Sequence, residues 1–85
     1  MTRYDPLYRW LGAKSLKSEE RIRLTFAEIE AVLGFELPLE ARTELRWWDN
    51  ETEAPRHKQC RAWLDAGFDA GKVDLKAETV EFVAV

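Results

Sequence analysis

The chain has 85 residues, of which 46% are apolar and 34% are charged, and its formal net charge is −3. This length and composition predict one globular domain with a small core, and they exclude a disordered or repetitive chain. No apolar run approaches the roughly 20 residues of a membrane span, and residues 1–6 lack the apolar stretch of a signal peptide. Cys60 is the single cysteine and cannot form an internal disulfide, so we expect a cytoplasmic protein.

The charged side chains are unevenly distributed along the chain. Residues 1–24 carry six basic and three acidic side chains, residues 25–54 carry two basic and eight acidic, and residues 55–85 carry five of each. A strongly basic domain would indicate nucleic-acid binding through phosphate neutralisation, and this net charge does not. Nucleic-acid binding through a local basic patch remains compatible with the sequence.

The first predicted element is a short N-terminal helix. Asp5 and Pro6 are typical of a helix start, with Asp5 as the N-cap and Pro6 at the first helical position. Gly12 is expected to end this helix in a left-handed cap. The residues that would share one face at helical spacing are Tyr4, Leu7, Tyr8 and Leu11.

A strand followed directly by a second helix is predicted next. Polar and apolar residues alternate over residues 21–26, as in a half-buried strand. Thr25 and Glu28 then fit a capping box, which indicates that a helix begins here, and Gly34 is expected to end it. The apolar stripe of this helix comprises Phe26, Ile29, Val32 and Leu33.

Two further helices are predicted in the middle of the chain. Pro38 opens a helix that continues to Trp48, with Ala41, Leu45 and Trp48 facing inward. A polar surface loop follows over residues 49–55. The second helix spans residues 57–66, buries Cys60 and Trp63, and ends at Gly67.

The pattern at the end of the chain predicts a β-hairpin. Residues 68–75 and 79–85 alternate, and Gly71 is expected to mark a bulge. The predicted fold class is therefore α+β: a small winged-helix-like domain of three to four helices with a three-stranded antiparallel sheet. Either middle helix would take the recognition position. If the last strand lies at a sheet edge, it offers a route to a homodimer.

The sequence resembles a family of small, uncharacterised bacterial and phage-associated domains. This resemblance covers most of the chain but implies no catalytic or binding residues. Phe68 stands where that family has tryptophan, and residues 83–85 replace a basic ending, which weakens a nucleic-acid interpretation. The matching segments are Tyr4-Asp5-Pro6-Leu7-Tyr8, Leu24-Thr25-Phe26-Ala27-Glu28-Ile29-Glu30, Leu37-Pro38, Ala41-Arg42, Trp47-Trp48, Asn50, His57, Gln59, Ala62-Trp63, Ala66-Gly67 and Val73-Asp74-Leu75.

The candidate binding surface is centred on residues 47–63. This segment contains three of the four tryptophans, the only histidine and the only cysteine. Aromatic rings provide contact area and polar groups provide orientation. Adjacent helical residues point about 100° apart, so a buried Trp48 leaves Trp47 as the ring expected to reach solvent. The residues predicted to bind nucleic acid or a protein partner are Arg42, Arg46, Trp47, Asn50, Arg56, His57, Lys58, Gln59 and Arg61.

These residues also have structural interpretations. Trp47 can pack under the following loop, and Arg42 and Arg46 can pair with neighbouring acids. The 56–58 basic cluster, expected at a helix N-terminus, is either an anion contact or a solubilising helix face. Cys60 is expected to be a buried thiol rather than a nucleophile. One histidine and one cysteine fall short of a zinc site. The sequence has no glycine-rich phosphate loop and no metalloprotease motif, and its carboxylates are scattered singly, so we expect neither an enzyme nor a bound metal or cofactor.

Two classes of function remain open at this point. Element order and the local basic cluster favour a nucleic-acid-binding module. Small size, an acidic middle segment and surplus aromatic rings favour a protein-binding module, such as a phage or mobile-element inhibitor of a host defence enzyme. A weaker third hypothesis is a nucleotide pocket formed by Trp47, Asn50, His57 and Gln59.

Overall fold

A computed structural model describes residues 2–85 as an α+β domain with four α-helices and one three-stranded antiparallel sheet. This confirms the predicted α+β class, with up to four helices and a three-stranded antiparallel sheet. A 3-10 helix, Leu45–Trp48, lies between the third and fourth α-helices. The elements in chain order are α1 (Asp5–Gly12), β1 (Arg21–Thr25), α2 (Phe26–Leu33), α3 (Leu39–Thr43), the 3-10 helix, α4 (Cys60–Leu64), β2 (Phe68–Asp74) and β3 (Thr79–Ala84).

The sheet has the strand order β1-β3-β2, with both pairings antiparallel. The hairpin prediction is confirmed, and the register between β2 and β3 shifts between Ala70 and Val73, where a bulge at Gly71 was expected. The last strand is the central one. The prediction of a homodimer through a C-terminal edge strand is therefore wrong, because β1 and β2 form the two edges of the sheet.

The ends of α1 and α2 differ in how well the sequence predicted them. The capping box of α2 is present, and Gly34 ends this helix with φ 84°. In α1 the N-cap is Tyr4, whereas Asp5 was predicted to be the N-cap. Asp5 is instead the first helical residue. Gly12 is the last helical residue, and the C-cap is Ala13 in the right-handed conformation, so the predicted left-handed cap at Gly12 is wrong. Tyr8 is exposed, although Leu7 and Leu11 are buried as expected.

The two middle helices are shorter than predicted. Glu44 adopts an extended conformation, with φ −127° and ψ 114°, which separates α3 from the 3-10 helix. This break turns Leu45 to solvent and lets the indole N–H of Trp48 donate to the carbonyl of Ala41 at 2.9 Å. A continuous helix over residues 38–48 was therefore the wrong prediction, because burying one large indole overrode the helical repeat.

The fourth helix begins three residues later than predicted. It starts at Cys60, so His57 lies in the preceding turns and not on a helix face. The predicted helix start at residue 57 is wrong, and residues 56–58 lie in the turns just before the N-cap, Gln59. Gly67 follows the helix with φ 89°, and Cys60 and Trp63 are buried as predicted.

The core fills the space between the inner face of the sheet and the helices. A series of aromatic rings runs through it: Phe26 stacks on Trp48 at 5.2 Å, Trp48 stacks on Trp63 at 5.7 Å, and Trp63 lies 5.6 Å from Phe82. The 3-10 helix and α4 are thus held to α2 and β3 through their indoles. The remaining buried side chains are Leu7, Leu11, Leu24, Ile29, Leu33, Leu37, Ala41, Cys60, Ala62, Phe68, Ala70, Val80 and Ala84.

Within residues 2–85, no helix has both the length and the apolar composition needed to cross a membrane. The same residues hold no group of three or more histidine, cysteine, aspartate or glutamate side chains that could bind a metal ion.

Candidate binding surface

Asn50 has a structural role. Its Oδ1 accepts hydrogen bonds from the indole N–H of Trp63 and from the amide of Ala70, both at 2.8 Å, and its Nδ2 donates to the carbonyl of Ala70 at 2.9 Å. The side chain thereby ties the 49–59 segment to β2 and to α4. The groove beside Trp47 includes Gln59 but neither Asn50 nor His57, so the four residues of the predicted nucleotide pocket do not line one groove.

Arg42 is held by two carboxylates from other elements. It donates to Glu30 on α2 at 2.8 Å and also to Glu78 in the β2–β3 turn. Hydrogen bonds to Glu30 and then to Glu78 raise the pKa of Arg42. The hydrogen bond from the Leu37 amide is the main cause that lowers the pKa of the Glu30 carboxyl, and Arg42 lowers it further. Burial raises this pKa and offsets part of the effect. Arg42 therefore stabilises the packing of α3, α2 and the hairpin. The salt-bridge interpretation expected pairing with neighbouring acids, whereas the observed partners of Arg42 come from other elements.

Two of the other predicted cations also face acids. Lys58 donates to both carboxylate oxygens of Glu51 at 2.9 Å, which raises the pKa of Lys58. Arg61 pairs with Asp65 and donates to the carbonyl of Thr52 at 3.1 Å. These contacts leave few charges in this segment free to bind phosphate.

Three of the predicted basic side chains are more loosely held. Arg46 is 81% exposed, and its Nε lies 3.9 Å from Glu44. The break at Glu44 removes the shared helix face that Arg42 and Arg46 were predicted to form. Arg56 and His57 are exposed, and within residues 2–85 neither takes part in a salt bridge.

Trp47 is half-buried and is the outermost ring of the aromatic core. Its ring meets Trp48 edge-on at 4.7 Å and lies 6.1 Å from the ring of Tyr4. Gln59 donates its side-chain amide to the carbonyl of Trp47 at 2.8 Å. Trp47 is therefore fixed by its neighbours, and it is not the free ring that the helical spacing predicted.

The remaining surface of Trp47 lines a groove of about 370 Å³. Four carboxylates and two cations surround it, and Lys58 is already bound by Glu51. We call this feature the acidic groove. Its lining residues are Glu40, Glu44, Arg46, Trp47, Asp49, Glu51, Lys58 and Gln59.

Glu40 also acts on the aromatic residue next to the groove. Burial raises the pKa of the Tyr4 phenol. The charge of Arg3 lowers this pKa, and the charge of Glu40 raises it. Tyr4 is therefore neutral at physiological pH.

A second, larger groove of about 770 Å³ lies where α1, the 52–56 loop and α4 meet. It mixes three carboxylates with two arginines, one of which is the Asp65-paired Arg61. Its lining residues are Thr2, Asp5, Tyr8, Thr52, Glu53, Ala54, Arg56, Arg61, Ala62 and Asp65.

The site residues selected from the sequence are thus only partly brought together. Trp47, Arg46, Lys58 and Gln59 share the acidic groove, whereas Arg56 and Arg61 line the second groove. The carboxylates of the acidic groove were not predicted as site residues. The signal for them was the excess of eight acidic over two basic residues in the 25–54 segment, which surrounds Trp47 in sequence.

The model of a protein family described as a domain of unknown function (DUF7662) matches residues 4–84. The chain belongs to this family. The DUF7662 match includes every helix and strand described above and all residues of the acidic groove, and it agrees with the expected resemblance to a family of small domains without an assigned activity. No curated protein and no solved structure matches the chain.

Proposed function

We propose that this protein is a non-catalytic protein-binding module that receives a basic segment of its partner in the acidic groove. One observation carries the proposal: the half-buried Trp47 lies among four carboxylates, and the cations there already face acids. A lysine or arginine side chain entering the groove would meet an aromatic ring and unpaired carboxylates. Aromatic rings attract cations, and carboxylates pair with them.

The charge of the groove favours a basic ligand over nucleic acid. Phosphates approaching Trp47 would meet Glu40, Glu44 and Asp49, whereas a cationic side chain would be attracted by the same groups. Three of the predicted phosphate contacts, Arg42, Lys58 and Arg61, are already paired with carboxylates.

The groove is also preorganised. Gln59 holds the backbone at Trp47, and neighbouring rings hold the indole, so little side-chain entropy would be lost on binding. A rigid aromatic residue at the centre of a polar rim is the usual arrangement of a protein-binding hot spot.

Fluorescence anisotropy with labelled peptides tests the proposal. A short blocked peptide that contains lysine and arginine should bind at about 50 mM salt and release at high salt, because surface ion pairs are screened. The triple variant Glu40→Gln, Glu44→Gln, Asp49→Asn should bind about tenfold more weakly, as expected when three rim charges are lost. The matched control is Glu19→Gln, Glu36→Gln, Glu53→Gln, which removes the same charge from exposed positions outside the acidic groove.

The control variant should bind within about twofold of the wild type, the small change expected from distant surface charges. Equal losses in the two triple variants would mean that net charge alone drives the interaction, and the acidic groove would then have no specific role.

Nucleic-acid binding by a winged-helix-like module is the second candidate. It is supported by the order of the elements and by the exposed Arg56 and His57. Cations from the N-terminal part would add attraction to the phosphate backbone. Labelled duplex DNA, single-stranded DNA and RNA form the second arm of the same titration. Tight, salt-dependent binding of any of them, with no binding of the basic peptide, would favour this candidate over the first.

The resemblance to bacterial and phage-associated domains suggests a class of partner. An enzyme that itself binds nucleic acid presents a basic surface, and a small acidic module can occupy that surface. Inhibition of a host defence enzyme is therefore the setting that we propose for the acidic groove. An excess of the basic peptide should relieve such inhibition, and failure to do so would argue against this setting.

A further inference from the structure

The outer edge of β1 has unpaired backbone groups. β1 pairs only with β3, and the hydrogen bonds from the Ala84 amide to the Glu20 carbonyl and from the Phe26 amide to the Glu78 carbonyl bracket this pairing. Antiparallel pairing uses alternate residues, so Ile22 and Leu24 direct their backbone groups toward β3. The backbone N–H and C=O groups of Arg21 and Arg23 therefore point away from the sheet.

The two edges of the sheet differ. On β2, Asn50 binds both the N–H and the C=O of Ala70, and the bulge at Gly71 interrupts the strand. At the inner end of β1, the Thr25 amide is taken by the Glu28 side chain of the capping box. In the part of the chain that the structure describes, no such group closes the edge at Arg21 and Arg23.

The side chains of β1 favour one kind of occupant. Arg21 and Arg23 lie on the solvent face, where Arg21 is 63% exposed and pairs with Glu81, which also lies opposite Arg23. On the other face, Ile22 is only partly buried. One glutamate facing two arginines leaves an excess positive charge beside open hydrogen-bonding groups.

A second copy of this chain fits the edge poorly. An antiparallel β1–β1 pairing about Arg23 would oppose Arg23 to itself, and pairing about Ile22 would oppose Arg21 to Arg23. Like charges directly opposite each other destabilise strand pairs. The arginines thus protect the edge against self-association, as charged residues do on many edge strands.

We propose that the edge of β1 binds an extended acidic segment of a partner protein by strand addition. Acidic residues two positions apart would face Arg21 and Arg23, and the apolar residue between them would cover Ile22. Strand addition of this kind takes its affinity from backbone hydrogen bonds and its specificity from alternate side chains. This surface is separate from the acidic groove and does not depend on the function proposed for it.

The test uses ¹⁵N-labelled protein and the blocked peptide Thr-Glu-Val-Glu-Val-Thr. Saturation with this peptide should slow amide hydrogen exchange at Arg21 and Arg23 at least tenfold. Exchange at Ile22 and Leu24, already bonded to β3, should not change. The peptide Thr-Lys-Val-Lys-Val-Thr should bind at least tenfold more weakly to the wild type. The variant Arg21→Glu, Arg23→Glu should reverse this preference, whereas the control Arg9→Glu, Lys76→Glu should retain it.

The proposal fails if the two peptides bind the wild type equally, or if exchange slows at Ile22 and Leu24 as much as at the arginines. It also fails if the Arg21 and Arg23 amides become protected with rising protein concentration in the absence of peptide, because the occupant would then be a second copy. The exchange pattern of the wild type decides the matter even if the double variant is unfolded. Failure here leaves the acidic groove unaffected.

Discussion

Asn50 connects three parts of the molecule through one amide group. Its side chain accepts a hydrogen bond from the Trp63 indole N–H. It also bonds the N–H and C=O of Ala70, which would otherwise pair with a neighbouring strand. The sequence indicated that Asn50 lies near the tryptophans but not that its amide bonds both Trp63 and Ala70. This contact depends on how the 49–59 segment returns to the sheet, which local patterns do not encode.

Asn50→Ala should lower the free energy of unfolding by about 2 kcal/mol, because the indole and the Ala70 groups lose hydrogen-bond partners. Urea unfolding followed by tryptophan fluorescence measures this change. Glu53→Ala, an exposed position in the same loop, is the control and should change stability by less than about 0.5 kcal/mol. Equal effects of the two substitutions would contradict the role assigned to Asn50.

Glu30 gives the stability of the protein an acid-dependent component. Its pKa is lowered by the Leu37 amide and by Arg42, from an ordinary value of 4.5. The resulting stabilisation is complete above the ordinary pKa and is lost as the pH falls through the lower, native pKa. Glu30→Gln should therefore cost about 1 kcal/mol near neutral pH, a value reduced for partial exposure.

The stability difference between Glu30→Gln and the wild type should shrink as urea titrations move from about pH 6 to about pH 3. A difference that stays constant over this range would show that the carboxylate charge contributes nothing.

At the scale of single elements, the sequence predicted helix ends that depend on local chemistry. The capping box at Thr25 and the left-handed Gly34 both follow from the residue types at the two ends of α2. The break at Glu44 was not predicted, because nothing local marks it: residues 38–48 carry a regular helical stripe. The break arises where Trp48 turns inward to bond Ala41, a requirement of the core and not of the segment.

Gly34 and Gly12 form a matched pair for testing the helix ends. Gly34→Ala places a side chain at φ 84°, where there is space but the backbone is strained, and should cost about 1 kcal/mol. Gly12→Ala adds a methyl group at an ordinary helical position with open space around it, and should be neutral or stabilise by up to about 1 kcal/mol. Thermal unfolding of both variants measures these effects. If Gly12→Ala lost more stability than Gly34→Ala, Gly12 would be the left-handed cap that the sequence predicted.

At the scale of the whole molecule, the residue pattern predicted the α+β class better than it predicted the surface. Alternation at β1 and in the hairpin, with the glycines at 34, 67 and 71, was enough to place most elements. The surface depends on which charges meet across elements. The sequence did not identify the partners of Arg42, because Glu30 and Glu78 come from α2 and the hairpin turn. Around Trp47, four carboxylates outnumber the two cations Arg46 and Lys58.

The most direct test of the acidic groove is a ¹⁵N–¹H titration that follows the four tryptophan indole N–H signals while the basic peptide is added. The Trp47 signal should shift most, whereas those of Trp48 and Trp63, hydrogen-bonded in the core, and that of Trp10, outside the groove, should move less. An unchanged Trp47 signal at saturating peptide would contradict the account. The proposal would also be contradicted if a nucleic acid shifted the backbone amide signals of Arg56 and His57 while the peptide shifted no signal.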